Sequence, residues 1–303
     1  MAATTEHERL QMEVAPITYY PVSMQKQFAS NRDVVAGTPY APYLTPDLEV
    51  PVSWAKALER GPLPQAQTLS PSIADLNRFF DAFAGSPEDG YAVIEGPTAY
   101  VQSHTVLPGV TTEMFQWWYI WSSLAKEHFL LWFPYAHIDA FVEDPKRLAD
   151  QSLSFEERLY HNRSHYEQYV GPALQKVIME YRDPTQLGLD AAMLKREGIT
   201  ASTSSIASLA AAPDVTTSLI LHLARDTEGG MELFSRFWIG GHPEFKRFPG
   251  GDRAAAAMAQ AGLGQDKMEN LAYEMAVHDM TEFAHLTSIV PQLYERFGTA
   301  TAA

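Results

Sequence analysis

The chain of 303 residues contains no cysteine. It therefore forms no disulfide and no thiolate metal site, so any metal it binds must be held by His, Asp or Glu. Basic residues are also few, because 22 Lys and Arg stand against 37 Asp and Glu and leave a formal net charge of -15. A field of this sign argues against nucleic acid or an anionic membrane surface as a partner.

Long apolar runs and targeting signals are missing as well. The longest apolar run, residues 129–135, is far too short to span a bilayer. The first nine residues have neither the basic leader nor the apolar core of a signal peptide. No phosphate-binding glycine loop, Gly-x-Ser-x-Gly elbow or dinucleotide fingerprint is present. The sequence predicts a soluble, cytoplasmic protein, and its 46% hydrophobic residues suffice for a large core.

The uneven distribution of proline divides the chain into an N-terminal segment and a main domain. Residues 1–68 are rich in proline and carry several aromatic residues, which predicts an extended arm wrapped over the main body or over a second subunit. Ser70 and Pro71 are typical of a helix start, and Gly85 of its end. We therefore predict an N-terminal extension with its helix over residues 1–88 and a main domain over 89–303.

The main domain is predicted to be α+β, with a curved antiparallel sheet that encloses a cavity against one long C-terminal helix. Strands are expected at 91–95, 99–106, 128–133, 174–181 and 202–210, and a hairpin at 215–224 and 231–239. Helices are expected at 112–125, 189–197 and 265–297, and a loop at 161–171.

The last helix carries a pair of candidate metal ligands, His278 and Glu282. At a spacing of four residues both side chains leave the same helix face, so they could close on one ion. The alternative is an ordinary solvated charge pair. Met275 and Phe283 belong to an apolar surrounding that favours burial of this helix, and a buried charged stripe needs partners such as a cation.

Four stretches together are similar to one known family. They are Met114-Phe-Gln-Trp-Trp-Tyr followed by Leu131-Trp-Phe-Pro-Tyr-Ala-His137; Asn162-Arg-Ser-His165-Tyr-Glu167-Gln-Tyr-Val-Gly171; Ser235-Arg-Phe-Trp-Ile-Gly240; and His278-x-x-x-Glu282. In order and spacing the chain resembles, over about residues 90–290, the zinc-dependent 2,4-diacetylphloroglucinol hydrolases, to which phloretin hydrolase is related.

The resemblance implies a helix-grip fold like that of the birch-pollen allergen superfamily, a homodimer, and zinc bound by His137, Glu167, His278 and Glu282. Two histidines and two carboxylates form a sensible N/O ligand set for zinc. The local alternatives are His165 in place of Glu167 and His285 in place of Glu282. Any single histidine could instead be a core residue held by a hydrogen bond.

The resemblance also suggests other site residues. His222 falls at a cavity histidine of the family and is expected to donate a proton or orient the substrate, unless it is bonded to a neighbouring backbone group. A glutamate such as Glu167 is the alternative proton carrier. The family's two tyrosine anchors and one asparagine anchor fall on Phe129, Phe237 and Ala140, which predicts a more apolar pocket. Trp118 is expected in the core or, less often, in a substrate wall.

These features lead to one hypothesis with two rivals. The hypothesis is hydrolysis of a carbon–carbon bond beside a ketone, in an acyl-phenol or a β-dicarbonyl, polyketide-like compound. Zinc would polarise the ketone and lower the pKa of a bound water toward ~7. The rivals are a metal-dependent lyase, isomerase or cyclase on a similar substrate, and a non-catalytic carrier of an apolar ligand.

Overall fold

The computed structural model describes residues 13–80 and 89–298. Within these residues the strands are β1 Val14–Pro16, β2 Glu49–Pro51, β3 Gly90–Ile94, β4 Thr98–Pro108, β5 His137–Val142, β6 Arg163–Val170, β7 Ala173–Tyr181, β8 Ala201–Ser202, β9 Ser205–Leu209, β10 Thr216–Thr227 and β11 Gly230–Gly240. The helices are α1 Val22–Val35, α2 Val52–Glu59, α3 Ile73–Leu76, α4 Thr112–Ser122, α5 Lys126–Trp132, α6 Pro145–Ala149, α7 Phe155–Leu159, α8 Ala191–Arg196, α9 Ala254–Gln260 and α10 Met268–Leu293.

One large antiparallel sheet dominates the fold. Its strands follow the order β3-β4-β11-β10-β9-β7-β6-β5, with β8 paired to β10, while β1 and β2 form a separate two-stranded ribbon. Strands β10 and β11 pair from Ser218 opposite Ile239 to Thr227 opposite Gly230, so two residues connect them. A mixed α/β fold with a large antiparallel sheet and a long C-terminal helix is thus confirmed.

Both faces of the sheet are buried at its central strands, such as β10 and β11. On the inner face Val101, Ile220 and Phe237 pack against α10 residues such as Leu271 and Met275. The outer face is covered by residues of the N-terminal part of the chain and by the segments after β7 and β11. Alternate residues of one strand therefore enter two different cores, which explains why β10 and β11 are buried over most of their length.

Helix α10 is buried along most of its length because the sheet packs on one side of it and α4 and α5 pack on another. Its charged residues consequently lie inside the protein: His278 is 2% exposed and Glu282 is 8% exposed. None of the helices in the described ranges is long and apolar enough to cross a membrane.

The structure corrects four local predictions. Residues 128–133 were expected in a strand but belong to helix α5, since an apolar run that is buried on all sides shows no period. Residues 161–171 were expected in a loop but contain strand β6.

The proline-rich arm contains the 14-residue helix α1, which forms where prolines are absent between Pro21 and Pro39. The helix expected from Ser70 is only Ile73–Leu76, with Ser72 as its cap; its expected end at Gly85 lies outside the described residues.

Candidate metal centre and cavity

His137 is the first residue of β5, directly after the turn that follows α5. Its Nδ1 lies 3.0 Å from the carbonyl oxygen of Phe129, and the two rings stack at 3.9 Å. A proton on Nδ1 that is donated to this carbonyl leaves the lone pair on Nε2, which is the arrangement that second-shell contacts give to metal-bound histidines. The ring is held rigidly with Nε2 pointing toward α10.

His278 and Glu282 meet His137 from α10. Oε2 of Glu282 lies 3.4 Å from Nε2 of His137 and 3.6 Å from Nε2 of His278. One ligand atom from each of the three residues lies within 4.8 Å of the others, and all three residues are buried. His137 is more than 140 residues away from His278 and Glu282 in the sequence, and the fold brings the three side chains together.

The charge states of Glu282 and His137 suit a cation. Burial raises the pKa of Glu282, but electrostatic interaction with the nearby rings of His278 and His137 outweighs burial and brings the pKa to about 2. Burial lowers the pKa of His137, which favours the neutral imidazole. A carboxylate and neutral imidazoles are the forms that bind metal.

The donor set itself fits zinc. Nε2 of His137 and both ring nitrogens of His278 are buried without a hydrogen-bond partner among the described residues, and such atoms are costly unless something else satisfies them. Two histidines and one glutamate with an open fourth position form a recurrent catalytic zinc set. We name the group of His137, His278 and Glu282 the metal triad.

The structure does not bring Glu167 to the metal triad. Glu167 lies opposite Asp139 and Lys176 on the neighbouring strands, and its carboxylate pairs with Nζ of Lys176 at 2.9 Å. Its side chain leaves the outer side of β6 and is 30% exposed. Glu167, a ligand implied by the resemblance, therefore lies outside the group that the structure brings together, because a strand sends successive side chains to opposite faces.

The two alternative histidines also lie elsewhere. His165 is on the same outer side of β6, with Nε2 2.9 Å from Oε1 of Glu143. His285 is buried one turn beyond Glu282, and its Nδ1 lies 3.0 Å from Oγ of Ser288. Neither belongs to the triad found among the described residues.

A cavity of about 110 Å³ opens beside the triad, and both His137 and Glu282 line it. His222 lines the same cavity from β10, as the resemblance implied. Its Nδ1 lies 2.9 Å from Oγ of Ser235, and burial lowers its pKa to about 4. His222 is thus a neutral imidazole at neutral pH, facing the space where a substrate would bind.

Of the four predicted substrate contacts, two lie at the cavity. Phe129 and Phe237 line it, together with apolar residues such as Val177 and Met179. Ala140 lies opposite Tyr166 and packs against the adjoining apolar core. Trp118 is fully buried behind Trp132, with ring centroids 6.0 Å apart, and is a core residue.

The sequence analysis missed several polar residues of the cavity wall. The wall includes three tyrosines and two glutamines, namely Tyr119, Tyr166, Tyr181, Gln168 and Gln175. The alternation of β6 was a signal that could have found part of this set, since it places 166, 168 and 170 on one face. Taking residues 161–171 as a loop concealed that alternation.

A further residue that the sequence analysis missed, Asn31, supports the metal triad from the N-terminal part of the chain. Asn31 of α1 is 1% exposed, and its Nδ2 donates to the carbonyl oxygens of Pro134 and His137 at 2.8 and 2.7 Å. These bonds fix the turn that ends at His137.

A second cavity, of about 260 Å³, lies on the other side of His278. Tyr20 of the N-terminal segment and Glu274 of α10 line it with His278. The triad thus stands between two cavities.

Comparison with known proteins gives a consistent picture. Residues 69–295 match the DAPG hydrolase PhiG domain family. A 2,4-diacetylphloroglucinol hydrolase of a Pseudomonas species is 44% identical over 289 residues, covering 95% of this chain and 98% of that protein. The protein of the same name from Pseudomonas protegens is also 44% identical over 289 residues, covering 95% and 94%.

More distant matches extend the comparison. Phloretin hydrolase of Eubacterium ramulus is 24% identical over 266 residues, covering 84% of this chain and 89% of that protein. Among solved structures, that of Ara h 8.0201 matches 60% of this chain and 99% of its own, at 9% identity. Its TM-score of 0.30 is too low to support a conclusion about fold.

Proposed function

The chain belongs to the family of 2,4-diacetylphloroglucinol hydrolases, and we propose that it is a metal-dependent hydrolase that cleaves the carbon–carbon bond between a ketone and a phenolic ring. The observation that carries the proposal is the buried metal triad at the wall of an enclosed cavity. The names of the relatives supply the substrate class, an acyl-phenol.

In this proposal His137, His278 and Glu282 hold a divalent cation; their N/O donor set admits zinc, manganese or iron, and zinc is the choice implied by the resemblance. When bound, such a cation supplies a Lewis acid for the ketone oxygen and lowers the pKa of a bound water toward ~7. The contact between Nδ1 of His137 and the Phe129 carbonyl fixes the ring that presents Nε2.

The overall reaction adds the oxygen of water to the acyl carbon and breaks the bond from that carbon to the ring. The electron pair of the broken bond passes to the ring, whose oxygens delocalise it, and a proton must then reach the ring carbon. The products are a carboxylic acid and the deacylated phenol.

We assign the delivery of that proton to His222, which lines the cavity. Because its pKa is lowered to about 4, it is neutral before reaction and must first accept a proton, which it then gives up readily as a strong acid. Ser235 fixes the ring through Nδ1, so Nε2 is the nitrogen available on the cavity side. Phe129 and Phe237 form the apolar part of the wall and exclude water from the expelled carbanion.

A helix-grip arrangement, a homodimer and a catalytic domain that starts near residue 89 are further parts of this proposal, while the range matched by the family model starts at residue 69. The N-terminal part adds support to the main domain, since Leu69, Leu76 and Phe79 enter the core on the outer face of the sheet. Light scattering of the purified protein tests the dimer: a mass of about 34 kDa, that of one chain of 33.8 kDa, would contradict it.

One experiment tests the reaction. Purified protein with its metal content measured is incubated with a monoacylated 1,3,5-trihydroxybenzene in oxygen-18 water. Hydrolysis places the label in the released carboxylic acid, whereas a lyase or isomerase does not. Release without label would contradict the proposal, and binding without turnover by metal-loaded protein would favour a carrier.

A further inference from the structure

Three tyrosines line the cavity that the metal triad borders, and the hydroxyl of one of them, Tyr119, interacts with the side chain of Thr203. Tyr119 comes from α4, Tyr166 from β6 and Tyr181 from β7, and all three line the cavity along with Glu282. They are 4%, 7% and 2% exposed, and the rings of Tyr119 and Tyr181 meet edge to face at 6.0 Å. We call these residues the tyrosine cluster.

The hydrogen bond between Tyr166 and Tyr181 uses only one of their two hydroxyl protons. Oη of Tyr166 and Oη of Tyr181 are 2.9 Å apart, so one of the two hydroxyls donates to the other. Two hydroxyls carry two protons, and the bond between them uses one. The remaining proton needs an acceptor, because a buried donor without one is costly. An oxygen of a bound molecule in the cavity is such an acceptor.

The cluster also stays protonated. Burial raises the pKa of Tyr119 and of Tyr181 well above the ordinary value. Hydroxyls that cannot ionise remain donors, so they favour a ligand oxygen that carries or acquires negative charge.

The other residues of the cavity wall limit which oxygen of a bound molecule can meet the tyrosine cluster. Val177, Met179 and Ile220 give an apolar surface suited to the face of a ring. Phe129 and Phe237 also line the cavity, and their side chains offer no hydrogen bond. Polar contact with ring oxygens must therefore come from another part of the wall.

We propose that the tyrosine cluster binds the ring hydroxyl oxygens of the substrate and stabilises the negative charge that reaches them when the carbon–carbon bond breaks. The inference rests on the proposed hydrolase function and narrows its substrate. The acyl group stands on a ring with a free hydroxyl beside it, and an aliphatic β-diketone, which has no ring oxygen to meet the cluster, is a poor substrate.

The test compares Tyr166→Phe and Tyr181→Phe with the wild type. Tyr160→Phe is the matched control, since Tyr160 is also packed against the core but bonds to the carbonyl of Ser202 at 3.4 Å and does not line the cavity. Hydrolysis is measured on a monoacylated 1,3,5-trihydroxybenzene and on 2,4-pentanedione. Binding of 1,3,5-trihydroxybenzene itself is measured by calorimetry, which needs no turnover.

Each cluster variant is expected to lower kcat on the ring ketone by about 100-fold, the loss typical for one oxyanion donor. The same variants weaken binding of 1,3,5-trihydroxybenzene by about 10-fold, the effect of one lost hydrogen bond. Tyr160→Phe stays within about 3-fold in both assays, and metal content is the same in all variants. Wild-type kcat/KM on the ring ketone exceeds that on 2,4-pentanedione by at least ~100-fold.

The outcomes separate the two proposals. If the wild type hydrolyses the ring ketone and both cluster variants do so equally well, the cluster has no such role although the hydrolase function stands. If wild type and variants bind 1,3,5-trihydroxybenzene with equal affinity, the inference is likewise overturned. If the wild type hydrolyses neither substrate, the hydrolase function fails, while a binding loss confined to the cluster variants still supports the cluster as the site for ring hydroxyls.

Discussion

At the scale of single residues, the side chains of residues 167 and 168 point to opposite faces of β6, and this decides which of the two lies beside the metal triad. Glu167 pairs with Lys176 on the outer side of β6. Gln168 lies directly opposite His137 in the pairing of β5 with β6, and both line the cavity. Residues that face each other across an antiparallel pair share one face of the sheet. The position beside the triad therefore holds a neutral amide.

This placement gives a prediction for Gln168→Glu. A carboxylate on the cavity side of β6 adds an anionic donor next to His137, so zinc affinity is expected to rise by at least ~10-fold. Competition with a chromophoric chelator measures it. Glu167→Gln is the matched control and leaves zinc affinity unchanged. Equal affinities for the wild type and Gln168→Glu, with Glu167→Gln weakened, would place the fourth donor at Glu167.

At the scale of secondary structure elements, helix α1 holds the strand that carries a ligand. Asn31 joins α1 to the turn before β5 through its bonds to Pro134 and His137. Gln27, one turn earlier, donates to Oδ1 of Asn31 at 2.8 Å. The N-terminal extension thus contributes to the position of His137 without contacting the cavity through these residues.

We therefore expect Asn31→Ala to weaken zinc binding by about 10-fold, because outer contacts of a ligand commonly contribute that much. Two buried carbonyls also lose their donor, which lowers the free energy of unfolding by about 1–3 kcal/mol. Gln27→Ala removes only the bond to Asn31 and should bind zinc nearly as the wild type does. Zinc titration and urea unfolding check both variants. Unchanged zinc affinity in Asn31→Ala would show that α1 does not position the ligand.

The β10–β11 hairpin has an electrostatic contact that makes stability depend on pH. Arg225 and Glu232 are opposite each other, with Nε and Oε2 2.7 Å apart, and Nε2 of His104 lies 3.2 Å from Oε1 of Glu232. Hydrogen bonding by His104, together with Arg225, brings the pKa of Glu232 to about 2 against partial burial. The ordinary value is 4.5.

A lowered pKa in the folded state stabilises the fold above the unfolded value of 4.5 and loses that effect as the pH falls toward about 2. Wild-type protein should therefore be more stable than Glu232→Gln at pH 6 by on the order of 1–2 kcal/mol. The difference should shrink steadily from pH 4.5 to pH 2. Unfolding in urea at several pH values measures it, with the exposed Glu59→Gln as control. A difference that does not change with pH would contradict the ion pair as its source.

At the scale of the whole molecule, the sequence predicted those parts of the fold whose patterns are local. The hairpin of β10 and β11 alternates and has a glycine-containing turn, and α10 repeats its apolar residues at helical spacing. Helix α5 was missed because burial on all sides removes the periodic signal. Strand β6 was missed because polar residues occupy its outer face.

In the candidate site, too, the parts that depend on local spacing could be predicted from the sequence, and the parts that depend on tertiary packing could not. His278 and Glu282 lie within one turn of helix, so their meeting followed from spacing alone. His137 required the resemblance to a family, since nothing local indicates that the start of β5 approaches α10. The tyrosine cluster depends on how α4, β6 and β7 pack, and no short-range pattern encodes that arrangement.

The central claim is that three side chains, His137, His278 and Glu282, hold one metal ion while Glu167 does not. The most direct measurement is the metal bound per chain, determined by elemental analysis after zinc loading and exhaustive dialysis. The wild type and Glu167→Ala should each retain about one zinc per chain, and His137→Ala, His278→Ala and Glu282→Ala should retain almost none. Loss of zinc from Glu167→Ala, or full retention by His278→Ala, would contradict the account.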